Sequence, residues 1–290
     1  MIIDAHQHVW DLSRARYDWL GPSHGPIFRT ITEDEALPLL RRCGVDGVVL
    51  VQAADNAEDT LYMLATSAQH PKVVAVVGYV PLEDPDAAAA QLEVLAANPL
   101  VVGIRNLIHD RPDPDFLIRP EVQESLGLVA AAGLTFDVVA VLPRHLEHVS
   151  VLAARLPDLR LVLDHLATPP IGESDPEPWW TLVARAAEHP NVHAKVSGLY
   201  PRADMTAWTT ENVRPFVAHA VEVFGAHRLM YGGDWPISVL AGGYEAVWDG
   251  LRPIIADLGA AEARAVLGET AVRCYGIAPE RLAALPDTTS

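Results

Sequence analysis

From residue 33 onward the chain alternates two hydrophobic patterns. Segments whose apolar residues recur every three to four positions, as on one face of a helix, each precede a short, nearly continuous β-branched run. The pattern predicts helices at 33–43, 57–70, 86–97, 121–132, 144–156, 178–189, 211–225, 243–257 and 260–268. It predicts strands at 1–10, 45–52, 73–80, 100–108, 134–141, 159–166, 192–199 and 228–235. Thr32 and Glu35 form a capping box ahead of the first helix, and Gly44 ends it. Continuous apolar strands suit a parallel sheet buried on both faces. Eight strand–helix units, with no glycine-rich phosphate loop after the first strand, predict a single-domain (β/α)8 TIM-type barrel rather than a doubly wound sheet. The barrel is expected to occupy residues 1–277 and to leave a loose polar tail at 278–290.

Two stretches add chemistry to this frame. Residues 11–32 are too long for an ordinary connection and hold Pro22, Gly25 and Pro26, so they are expected to cover the barrel mouth. Tyr17 and Trp19 in that loop either line a pocket or anchor the loop. In the first strand, strict alternation puts Asp4, His6 and His8 on one face and Ile3, Ala5, Gln7 and Val9 on the other. Two imidazoles at a strand end make half of a metal site or a polar catalytic floor.

The remaining strands also end in polar residues, where the chemistry of such barrels sits. These are Gln52, then Arg105 and Asn106, then Asp164 and His165, then Lys195 and Ser197, and finally Asp234 between Gly232-Gly233 and Trp235-Pro236. Charged groups in apolar strands are costly unless paired or ligated. A set of them at nearly every strand end is not explained by folding alone. Singly, each has a plainer reading: Arg105 as an ion pair or a substrate grip, Lys195 as an internal salt bridge or a catalytic cation, Asp234 as a turn cap or a displayed carboxylate. His70, His109, His145, His148, His189, His219 and His227 fall on helices or surface loops and are expected to be solvated.

A net charge of −17 argues against nucleic acid or an anionic membrane as partner, though not against a small anionic substrate. Cys43 and Cys274 each lie in an apolar segment and are expected to be buried free thiols. No stretch reaches ~18 apolar residues, and the N-terminus opens a strand rather than a basic-then-apolar leader. The expectation is a reduced, cytoplasmic protein, monomer or homo-oligomer, whose partner is a small molecule.

Taken in order, Asp4-Ala5-His6-Gln7-His8, Gly103-Ile104-Arg105, Leu163-Asp164-His165-Leu166, Gly233-Asp234-Trp235-Pro236 and the closing Ala271–Ile277 segment resemble the amidohydrolase superfamily over nearly the whole chain. The resemblance is to its lactonase branch, which includes L-fuconolactonase and 2-pyrone-4,6-dicarboxylate lactonase. It implies a hydrolase that opens a lactone, most simply a sugar-acid lactone. One divalent ion, Zn in the first instance, would be held by His6, His8, His165 and Asp234. Asp234 would be the general base on water, and His165 or Lys195 would stand beside the oxyanion. Arg105 would hold an anionic or hydroxylated part of the substrate, with Gln52, Asn106, Trp19 and Trp235 completing the pocket. Branch members resembling the pyrone lactonase work without metal, their histidines donating hydrogen bonds instead.

The chain departs from the branch at two places. Thr168 stands where relatives often carry lysine, which favours a neutral substrate over a dicarboxylate. No lysine ends the fourth strand, which argues against two metals. Two competing readings are a metal-dependent non-oxidative decarboxylase of the same superfamily and a sugar-binding barrel without catalysis. The first would place a further histidine near the end of the seventh strand, where Lys195 and Ser197 stand.

Overall fold

The eight β-branched runs become eight parallel strands in a computed structural model that describes residues 1–201 and 203–286. They are β1 (Ile3–Gln7), β2 (Gly47–Val51), β3 (Val73–Gly78), β4 (Val101–Asn106), β5 (Thr135–Val138), β6 (Arg160–Leu163), β7 (Val192–Val196) and β8 (Leu229–Tyr231). Each pairs with the next in chain order. Two bonds bring β1 against β8: His8 N–H donates to the Trp235 carbonyl at 2.7 Å and Asp234 N–H to the His6 carbonyl at 2.9 Å. Between the strands run α1 (Glu33–Cys43), α2 (Ala57–Gln69), α3 (Pro85–Ala96), α4 (Pro120–Ala131), α5 (Pro143–Arg155), α6 (Trp179–Ala187), α7 (Thr210–Phe224) and α8 (Tyr244–Ala256). This is the predicted (β/α)8 barrel. Among the described residues no helix is long and apolar enough to cross a membrane, and Cys43 and Cys274 are buried free thiols.

Two expectations are corrected. Asp4 does not share a face with His6 and His8. The β1–β2 register shifts between Asp4 and Gln7, so one irregular step turns the strand over. Asp4 accepts from the Tyr244 hydroxyl of α8 at 2.8 Å and from Gly233 N–H at 2.9 Å. Gln7 likewise leaves the interior, its Nε2 donating to Glu33 of α1. The histidines face inward. The segment after Ile277 is also less loose than expected: α9 (Ala260–Arg264), a π turn (Ala265–Glu269) and α10 (Thr270–Tyr275) lead into α11 (Pro279–Ala283). Leu282 and Leu285 there pack against the core around Ile3, because this segment covers the end of the barrel opposite the mouth. The tail residues 287–290 lie outside the described residues.

The loop 11–32 is tied down by an antiparallel bridge between Trp10 and Ile31 and by Tyr17, whose hydroxyl donates to buried Asp59 at 2.8 Å. Trp19 Nε1 donates to the Ala53 carbonyl at 2.7 Å.

Candidate active site

The floor of the barrel mouth is built from β1 and the exit of β8. His6 Nε2 and His8 Nε2 lie 3.1 Å apart, and Asp234 Oδ1 stands 3.8 Å and 3.9 Å from them. His8 Nδ1 is 2.7 Å from the Val51 carbonyl. A carbonyl only accepts, so Nδ1 carries the proton and Nε2 presents its lone pair. Burial pushes both histidines well below the usual imidazole range, which keeps them neutral. Burial pushes the Asp234 carboxyl well above its usual range, and its Oδ1 has no hydrogen-bond partner. Asp234 also adopts a left-handed φ of 54°, a conformation of the kind that collects at functional sites.

His165 enters from the exit of β6, the first of four consecutive left-handed residues, His165 to Thr168, with φ between 50° and 59°. Its Nδ1 lies 3.0 Å from the Ser197 hydroxyl. The neighbouring Gly198, at φ 55°, passes so close that a Cβ there would come within 2.3 Å of that same nitrogen. Burial pushes His165 down to about 4.

Beneath the floor lies a second polar cluster. Lys195 Nζ contacts Asp137 Oδ2 at 2.6 Å and Asp164 Oδ1 at 2.9 Å and His6 Nδ1 at 3.0 Å. Asp137 also accepts from the Tyr275 hydroxyl at 2.7 Å, and Asp164 from Arg105 Nη1 at 2.9 Å. Burial alone would lower Lys195, but Asp137 and Asp164 raise it. Burial opposes ionisation of Asp164, yet the Lys195 charge and His6 hold it well below the carboxylate range. Lys195 is fully buried and does not line the mouth cavity.

The donors fit a divalent ion. His6, His8 and Asp234 offer three ligand atoms within 4.8 Å of one another, two of them neutral nitrogens and one a carboxylate oxygen without a partner. Inside the barrel, Arg105 and Lys195 balance two of the carboxylates Asp137, Asp164 and Asp234, leaving Asp234 unbalanced. The fourth predicted ligand, His165, belongs to an overlapping group with His6 and Asp164, its ring 4.5 Å from that of His6.

Above the floor opens a cavity of about 370 Å³, lined at its base by His8, Arg105, His165 and Asp234 and higher up by Trp19 and Thr168, among others. Gln52 and Asn106 do not reach it. They tie strand ends together, Gln52 Nε2 donating to the Arg105 carbonyl at 2.8 Å and Asn106 Nδ2 to the Val80 carbonyl at 3.1 Å. Trp235 is buried behind the wall. Two lining residues with polar side chains escaped the sequence reading. His109, expected to be solvated, sits in the cavity wall after β4, and Tyr200 sits after β7. His145, His148 and His219 are also buried rather than solvated, the last stacked on Trp180 at 3.8 Å. No period marks such loop positions; the Gly198 signal two residues before Tyr200 was the available pointer.

A barrel with this histidine pair on β1 and a carboxylate after β8 defines a class. A family model described as amidohydrolase matches residues 3–277, and the chain belongs to that family. The chain is 39% identical over 244 residues to an L-fucono-1,5-lactonase of Burkholderia ambifaria, covering 83% of this chain and 82% of that one. A second L-fucono-1,5-lactonase, from Burkholderia multivorans, is 30% identical over 291 residues, 95% of this chain and 96% of the relative. A crystal structure of a Burkholderia multivorans amidohydrolase with bound Zn superposes with a TM-score of 0.88 at 29% identity, covering 96% of this chain and all of that one.

Proposed function

We propose that the protein hydrolyses sugar-acid lactones, with Asp234 as general base. The observation that carries this is the buried Asp234 carboxyl, its Oδ1 without a hydrogen-bond partner, facing two imidazole nitrogens on the floor of the mouth cavity. His6, His8 and Asp234, with His165 adjoining, would hold one divalent ion, zinc being the leading candidate. Such an ion, when bound, acidifies water and polarises a carbonyl. Asp234 takes the proton of the attacking water and returns it to the ring oxygen as the acyl C–O bond breaks, releasing a hydroxy acid. His165, positioned by Ser197 and Gly198, faces the reacting carbonyl from the β6 side.

The cavity favours a neutral lactone. Arg105 already spends Nη1 on Asp164 and Nη2 on the Gln52 carbonyl, so its charge is balanced before any substrate arrives. The Thr168 hydroxyl, where a lysine would add charge, donates to the Ala140 carbonyl at 3.1 Å. The two Burkholderia relatives, both L-fucono-1,5-lactonases, support the same substrate class. The decarboxylase reading lacks its histidine: His193 lies early in β7, and Gly198 and Tyr200 occupy the cavity wall beyond that strand. Two buried free thiols are consistent with a cytoplasmic setting.

The test is acid release from a panel of lactones, run beside CO₂ release from hydroxybenzoates, before and after chelation. Opening of aldonolactones is expected, faster than any dicarboxylate lactone, lost on chelation and restored by zinc. Release of CO₂ without lactone opening would overturn the assignment; full turnover after chelation would overturn the metal's part in it.

A further inference from the structure

Tyr200 stands in the wall of the mouth cavity beyond β7 and is held there from behind. Its N–H donates to the Gly198 carbonyl at 3.2 Å, a turn that the left-handed Gly198 permits. Its ring lies 6.2 Å from that of Trp208, and Trp208 Nε1 donates to the Ala241 carbonyl at 3.0 Å. The residue is only 8% exposed, yet its hydroxyl has no hydrogen-bond partner among the described residues.

Other buried phenols of the molecule are paired. Tyr17, Tyr244 and Tyr275 donate to the carboxylates of Asp59, Asp4 and Asp137. Polar neighbours in the cavity wall are engaged as well: Arg105 with Asp164 and the Gln52 carbonyl, Thr168 with the Ala140 carbonyl, Trp19 with the Ala53 carbonyl. A buried hydroxyl left alone is destabilising, and the cavity beside this one is where a ligand can supply its partner. Burial, and then the nearby Asp234 charge, push the phenol well above its usual range, so it keeps its proton and can donate.

Asp234 is taken up with water and the ring oxygen. A sugar-acid lactone on the floor still carries ring hydroxyls, which lose water on entry and need partners of their own. A hydroxyl both donates and accepts, as a phenol does.

We propose that the Tyr200 hydroxyl hydrogen-bonds a ring hydroxyl of the bound lactone and so sets the preference for sugar-derived over unhydroxylated lactones. The inference rests on the lactonase reading above and names a residue that reads the sugar.

The experiment measures kcat/KM of wild type and Tyr200→Phe on an aldono-δ-lactone, its singly deoxygenated analogues and δ-valerolactone. Expected is a loss of about 10- to 100-fold in the variant on the aldonolactone, and a wild-type loss of the same size on one deoxygenated analogue. On that analogue and on δ-valerolactone the ratio of wild type to variant falls to about one, as in a double-mutant cycle. Without substrate the variant melts no lower than wild type, because its hydroxyl gives up no internal bond. An equal loss on every lactone would put Tyr200 at the reacting atoms or in the fold and overturn the inference, as would no loss on any. Should the variant fail to fold, wild-type indifference to each single deoxygenation overturns it instead. The lactonase reading survives all of these results and falls only if wild type opens none of the lactones.

Discussion

Two buried polar clusters meet at His6, and they differ in completeness. In the lower one every charge has its opposite: Lys195 lies between Asp137 and Asp164, with Tyr275 and Arg105 closing the two ends. In the upper one Asp234 faces two neutral imidazoles, and its Oδ1 has no hydrogen-bond partner. A dry interior tolerates the first arrangement because opposite charges share the desolvation cost. It tolerates the second only with the carboxyl neutral, or where chemistry or a ligand calls for it. We therefore read the lower cluster as structural and propose the upper one as the reacting site, although both look alike in sequence as charged residues at strand ends.

Opposite responses to mutation would sharpen the contrast. Asp234→Asn is expected to lower turnover about 10³-fold while leaving the metal-free protein at least as stable in urea, because the buried carboxyl has no cationic partner to lose. Lys195→Met is expected to cost about 3–5 kcal/mol of stability, because it strands two buried carboxylates. Equal destabilisation by both changes would erase the distinction.

Glu33 is a third case, a lone buried carboxylate outside the site. Gln7 Nε2 donates to its Oε2, while Gln7 Oε1 and Glu33 Oε1 have no partner. Burial pushes the carboxyl up to about 8, so it keeps its proton instead of finding a cation. A native pKa above the unfolded value makes the native state the stronger proton binder. The group's contribution is full below about 4.5 and is lost as pH rises towards 8. Glu33→Gln is expected to flatten that decline and to gain at least about 1 kcal/mol at pH 8. Thermal melts at pH 5 and pH 8 check it, and an unchanged slope would show that Glu33 ionises freely.

The barrel was legible because buried parallel strands leave long apolar runs and their helices carry caps. The predicted helices up to 257 match within two residues. The strands were read too long at their exits: Val139 and Val141 continue the apolar run of β5 but leave the ladder to line the cavity. The turn-over of β1 was not legible, because what holds Asp4 outward comes from partners 229 and 240 positions away. Polar residues at strand ends signal the site only in aggregate. Asp234 and His165 reach the cavity, whereas Gln52 and Asn106, of equal promise by position, secure backbone carbonyls. The left-handed exit of β6 was hidden for a simpler reason, since none of its four residues is glycine.

That exit supplies the smallest and cleanest test of how the site is paid for in stability. Ala167 holds φ at 59° and is 4% exposed; Ala153, in right-handed α5, is 2% exposed. Exchanging either for glycine removes the same buried methyl and loosens the unfolded chain equally, so those effects cancel between them. What differs is the backbone. Left-handed geometry penalises a Cβ by about 1–2 kcal/mol, while a helix interior penalises glycine by about 1 kcal/mol. Ala153→Gly is therefore expected to destabilise by about 1 kcal/mol or more, and Ala167→Gly to be milder by at least that amount in urea denaturation. Equal losses would mean that the turn presenting His165 carries no strain, and that its shape follows from local preference instead of being imposed by the site.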